Sequence, residues 1–345
     1  MGMGISVPSK LSEEQYNDSR EITASLTKDI IEQNENYKPD KTQQKRIKNE
    51  IRAKKAERYQ NELERILPEL NYKQVRILDC VREKGSSNWL TALPIKEKGF
   101  HLAKSEFWDA ICLRYGLDFK RMTTDCACGK AFTLEHGLSC MRGGYVSWRH
   151  DSIRDITAEF LSEVAKDVTT EPTLTALTGE LFDLKTTNKE DEARLDIAFR
   201  NFWSKGTKAY CDIRVFNPLA KSYSNQKLSN AYTMNEKAKK REYNRRVIEV
   251  ENSSFTPLIF TCYGGMGKEC KQFYKHLAKL ISEKREVPYS DVITFIRTKM
   301  SFSLLKSVIL CIRGYRGRKE KDNVEKVAET DIQLTVLEAQ LKEYN

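Results

Sequence analysis

The chain has 345 residues, with 59 Lys and Arg against 49 Asp and Glu and an isoelectric point near 9.0. That length allows two or three units with a sizeable core, and the basic excess favours an anionic partner, nucleic acid above all. No run of eighteen apolar residues occurs and residues 1–10 lack a signal pattern, so a membrane-spanning or secreted chain is not expected; the nine cysteines should be reduced in a cell, with metal binding as their special use.

Residues 12–70 are polar, with basic residues dense over 41–58 and a thin apolar stripe of Ile51, Tyr59, Leu63 and Ile66. The pattern predicts a solvated helical segment, open to two readings: a basic arm on phosphates or a charged linker. Two packing helices follow, over 73–83 and 103–115, the second with Phe107, Ile111 and Tyr115 on one buried face. Between them Pro94 excludes a helix interior. Next, Cys126, Cys128, His136 and Cys140 stand in the spacing C-x-C-x7-H-x3-C. Three thiols and an imidazole within fifteen residues suit a tetrahedral zinc that staples a loop too small to have its own core.

Beyond this loop an amphipathic helix is predicted with Ile153, Ile156, Phe160 and Val164 inward, its basic start offering Arg149, His150 and Arg154 to a phosphate, and Glu159 or Glu163 near its inner edge. The stretch over 192–218 then reads as two strands joined by a turn. Ala193, Leu195, Ile197 and Phe199 alternate with Arg194, Asp196, Ala198 and Arg200, and Cys211, Ile213 and Val215 with Tyr210, Asp212, Arg214 and Phe216. Strand alternation lets Asp196 and Asp212 share a face, where two carboxylates call for a hard divalent cation such as Mg²⁺. It also sets Arg214 on the face of Asp212.

A helix dense in Lys237, Lys239, Lys240, Arg241, Arg245 and Arg246 follows, well placed to meet DNA, then two strands read from VIEVE and FTPLIFTC. A glycine-opened helix with Phe273, Leu277, Leu280 and Ile281 inward comes next; GGMG fits no nucleotide-binding loop, and no small-molecule substrate is expected. A long apolar helix and a polar tail close the chain.

Taken in order, the Cys-His loop, Arg149-His150-Asp151, the RLDI strand and the CDIRV strand make residues 85–314 resemble the C-terminal part of a non-LTR retrotransposon polyprotein of the type with a restriction-like endonuclease. The resemblance implies a CCHC zinc knuckle followed by a PD-(D/E)xK-type nuclease. Cys126, Cys128, His136 and Cys140 match the knuckle ligands, Arg149 and His150 the third motif, Asp196 and Asp212 the nuclease acids, and Lys239 the lysine displaced onto a helix. Asp151 stands where that family has Asn, Leu195 where it has Pro, and Arg214 where a D-x-K lysine would sit. No Tyr-x-Asp-Asp motif occurs, so reverse transcription is not expected.

The resulting expectation is an α+β chain: a charged helical arm or linker (1–72), a helical linker region (73–120), a zinc knuckle (121–148), a restriction-endonuclease-like mixed sheet flanked by helices (149–314) and a polar tail (315–345). Its function would be Mg- or Mn-dependent DNA cleavage in the nucleus, with a structural zinc. Lys239 or Arg214 would be the catalytic cation, and Arg149, His150, Arg154, Lys237, Lys240 and Arg241 would contact DNA, RNA being a second candidate. The rival expectation is a retrotransposon-derived protein that binds nucleic acid without cutting it.

Overall fold

The computed structural model of the chain describes residues 8–34, 40–175 and 193–314. The polar tail and the loop before the central hairpin lie outside them. The chain divides into two compact units, Met1–Asp79 and Cys80–Asn345.

In the first unit, helices α1 (Pro8–Ile31) and α2 (Lys41–Ile66) pack together, with Arg58 of α2 ion-paired to Glu14 of α1. Asp40 caps α2 by accepting from the amides of Thr42 (2.9 Å) and Gln43 (3.0 Å). Ile47 and Leu63 are the buried residues of α2, whereas Tyr59 of the predicted stripe is 61% exposed. Helix α3 (Tyr72–Arg82) runs through the boundary between the units.

The second unit is mixed helix and sheet, as expected of an α+β chain. Helix α4 (Asn88–Thr91) is a single turn in the segment read as loop, and its Trp89 amide donates to Ser301 Oγ at 3.2 Å. Helix α5 (Lys104–Tyr115) is turned from the predicted face: Asp109, Ala110, Cys112 and Leu113 are inside and Phe107 is exposed. A bidentate bond from Arg313 holds Asp109, so a charged pair rather than the aromatic stripe sets the orientation. A short helix α6 (Leu134–Gly137) lies inside the Cys-His loop. Helix α7 (Tyr145–Ser162) buries Ile153 and Phe160 as expected but stops before β1 (Lys166–Thr170), which takes its predicted last residues.

Strands β2 (Ile197–Arg200), β3 (Lys208–Phe216) and β4 (Ser254–Thr261) complete a sheet in the order β1-β2-β3-β4. The first two pairings are antiparallel and β3–β4 is parallel. Helix α8 (Leu228–Arg245) makes the β3–β4 crossover, and the backbone continues through a wider turn over Arg246–Val250. That turn replaces the strand read from VIEVE: the neighbours Arg246 and Val247 are both buried and Ile248, Glu249 and Val250 are all exposed, a grouping that the two-residue alternation of a strand does not give.

Helices α9 (Lys268–Arg285) and α10 (Tyr289–Arg313) follow. One sheet face, carrying Ile197, Phe199, Cys211, Ile213, Leu258 and Phe260, shares a core with Ile153 of α7, Phe273 and Leu277 of α9 and Ile296 of α10. The other face carries Ala198, Tyr210 and Phe255 under Tyr243 and Val247. No helix among the described residues is long and apolar enough to cross a membrane.

Candidate functional site

Two groups of side chains stand out in the second unit. In the first, the ligand atoms of Cys126, Cys128, His136 and Cys140 all lie within 4.8 Å of one another. Cys126 Sγ is 3.7 Å from Cys140 Sγ, and Cys128 Sγ is 3.3 Å from His136 Nε2. A tetrahedral zinc with Zn–S near 2.3 Å and Zn–N near 2.0–2.1 Å sets such edges at about 3.8 and 3.6 Å. The four residues could therefore hold a metal such as zinc.

Local chemistry shapes this loop. Gly129, at φ +83°, closes the turn in which its amide donates to the Cys126 carbonyl, and Thr133 caps α6 by accepting from the His136 amide. The loop is then anchored by Arg149. This residue is 2% exposed and donates from one terminal nitrogen to the Leu138 carbonyl (3.2 Å) and from the other to the Val215 carbonyl of β3 (3.4 Å). Arg149 was expected at a phosphate; buried backbone carbonyls hold it instead, because an inward guanidinium needs acceptors, and here both terminal nitrogens find them.

The second group lies where β2 begins. Ile197 pairs with Cys211, so the antiparallel register sets Asp196 directly opposite Asp212. The two carboxylates share the sheet face beneath α8, the one opposite the main core. Asp196 itself lies one residue before β2 rather than within the strand. Its Oδ2 accepts from the Ile213 amide and lies 3.1 Å from His150 Nε2, whose Nδ1 is 3.1 Å from Asp151 Oδ1. Burial by itself would lower the His150 pKa, but its bonds to Asp196 and Asp151 outweigh that and raise it to about 9. At neutral pH it is an imidazolium.

Asp212 is 4% exposed. Its Oδ2 lies 2.9 Å from Lys239 Nζ and, apart from this ion pair, has no hydrogen-bond partner among the described residues. Burial raises the Asp212 carboxyl, the Lys239 charge pulls it down and the Asp196 charge pushes it up again, leaving it at about 7. Two neighbouring carboxylates offer the oxygen donors that a hard cation takes. The acids thus fit the divalent ion that the sequence suggested.

Lys239 reaches Asp212 because it continues the inward stripe of α8: Tyr232, Asn235 and Glu236 are buried, and one turn on Lys239 projects the same way over the ring of Tyr243, 5.2 Å from its centroid. Arg214 is exposed, although it alternates onto the Asp212 face. Of the expected DNA contacts, Lys237 and Arg241 are exposed, Lys240 is 2.8 Å from Glu269, and Arg154 is engaged by Asp151, Asp155 and Glu171. Glu159 is exposed and Glu163 is held by Arg285, so neither joins the two aspartates.

Three members of the group were missed in the sequence: His150 as the partner of Asp196, Asp151 as the partner of His150, and the Ile213 amide. Only the helical position of Lys239 relative to Tyr232 and Glu236 carried a signal. No protein-family model matches the chain, and no curated protein matches it.

Proposed function

We propose that the chain is a metal-dependent DNA endonuclease of retrotransposon origin, built as a restriction-endonuclease-like domain with a structural zinc knuckle and acting in the nucleus. The carrying observation is the meeting of Asp196, Asp212 and Lys239 from three separate elements on one sheet face. The order of the Cys-His loop, the Arg-His pair and the two acids supports the retrotransposon origin. The net charge of +10 suits a polyanionic substrate.

Asp196 and Asp212 would hold Mg²⁺ or Mn²⁺. When bound, that ion supplies a nucleophilic water and neutralises charge growing on the scissile phosphate. The chain's own residues do the rest. The Ile213 amide and His150 fix the Asp196 carboxylate, so its orientation is set before substrate arrives. Lys239, whose ammonium lies 2.9 Å from Asp212, would stabilise the negative charge growing on the phosphate. Lys237 and Arg241, exposed on the same helix, hold the flanking backbone.

One observation favours the second reading, a protein that binds nucleic acid without cutting it. Lys239 already neutralises Asp212, and Asp196 Oδ2 is already shared between His150 and an amide, so the group is self-satisfied in charge. Plasmid nicking with Mg²⁺ or Mn²⁺ decides between them. Cleavage by the native chain should fall by on the order of 100-fold or more in Asp196→Ala and in Asp212→Ala. Equal nicking by all three proteins would refute the site, and plasmid binding without nicking would establish the second reading.

A further inference from the structure

Helix α2 carries a feature that the proposed nuclease site does not use. Lys41, Lys45, Lys48, Arg52, Lys55 and Tyr59 follow one another at intervals of four, three, four, three and four residues. At 3.6 residues per turn these intervals keep all six within about 40° of one line along the helix. Every one of them is exposed. Lys55 Nζ lies 5.7 Å from the centroid of the Tyr59 ring, which is itself 61% exposed.

The acids of this part of the helix are elsewhere. Glu50 and Glu57 fall about 160–180° from the stripe by the same helical geometry, and Glu50 is paired there with Arg46 at 3.4 Å. The apolar contact is elsewhere too, since buried Ile47 and the Arg58–Glu14 pair mark the side packed on α1. A solvated helix usually interleaves both signs, as Arg65 and Glu62 do nearer the end of α2. Five cations with no ion pair among the described residues, spread over about 21 Å of axis, repel one another and weaken the helix unless a polyanion lies against them.

We propose that this face of α2 is a binding surface for duplex DNA, separate from the carboxylate group and independent of whether that group cleaves. Charge complementarity selects the partner. Double-stranded DNA presents roughly one negative charge per 1.7 Å of axis, and lysine and arginine contacts to it need no apolar centre. A protein partner would need a desolvated apolar or aromatic core, and a membrane surface would need an apolar helix face; beside these cations the stripe offers only Tyr59.

The test compares two variants of the full chain that lose the same net charge. Lys48→Gln with Arg52→Gln removes two of the five cations of the stripe, and Arg46→Gln with Lys54→Gln removes two on the other side of the helix; glutamine keeps the helix propensity in both. Binding to a labelled mixed-sequence duplex is followed against salt concentration without added divalent cation. Each lost phosphate contact lowers the slope of log K against log salt by about 0.9, so the stripe variant should lose about two units of slope and the other variant little. Circular dichroism confirms that both stay helical. An unchanged slope in the stripe variant, or equal losses in both, would overturn the proposal and leave a solvated face or a bulk-charge effect. Because the slopes are read without divalent cation, a native chain that never nicks plasmid still tests the stripe, so failure of the nuclease reading and failure of this one are told apart.

Discussion

The Cys-His loop, which could hold a metal, and the carboxylate group sit in one unit, but they are assembled by opposite means. The loop takes its four ligands from fifteen consecutive residues, and Cys126, Cys128, His136 and Cys140 are already within 4.8 Å of one another by turn geometry and one short helix. The carboxylate group takes Asp196 from the start of β2, Asp212 from β3, Lys239 from α8 and His150 from α7. What joins those four is register and packing. A local constellation therefore depends on its metal for stability, whereas a dispersed one depends on the sheet and is sensitive to single charges.

The largest expected effect lies on the local side. Structural zinc contributes on the order of 10 kcal/mol or more in small metal-stapled loops. Protein purified without chelator should carry about one zinc per chain, and Cys140→Ser should lose it. The loop up to Leu138 should then become open to proteolysis, while the sheet, whose core is separate, keeps its own unfolding transition. Metal analysis finding no zinc in the native chain would remove the contrast between the two regions.

A smaller but sharper effect separates the helix cation from the strand cation in the dispersed group. Lys239→Ala should lower cleavage by on the order of 100-fold or more with DNA binding retained, because it removes charge stabilisation at the phosphate but not the backbone contacts of Lys237 and Arg241. Arg214→Lys should be tolerated, since the exposed Arg214 needs only its charge. Normal cutting by Lys239→Ala together with a dead Arg214→Ala would move the role to the strand.

The smallest effect is on stability against pH. The His150 and Asp212 pKa values are both raised, to about 9 and about 7, so at these two positions the folded chain holds more protons than the unfolded one. For each group the associated stability is full below its unfolded value, 6.5 and 3.8, and is lost as pH rises through its folded value. Without divalent cations, Tm should therefore fall as pH rises from about 4 to 9, and His150→Gln should flatten the upper part of that fall. A native Tm that climbs between pH 7 and 9 would mean that His150 is not held as an imidazolium by Asp196.

By itself the sequence determined the pieces whose information is local. The ligand spacing of the loop, the inward faces of α7 and α9, and the alternation that puts Asp196 and Asp212 on one face follow from turn, helix and strand periods that a few consecutive residues express. Tertiary structure decided the rest, because partners far apart in the chain compete for the same side chain. Arg149 read as a phosphate contact until two carbonyls, one from the loop and one from β3, enclosed it. Phe107 read as core until the Arg313–Asp109 pair turned α5, and VIEVE read as a strand until α8 ran on into a wider helical turn. His150 and Asp196, 46 positions apart, meet only because α7 packs where β2 begins, and no period along the chain encodes that distance.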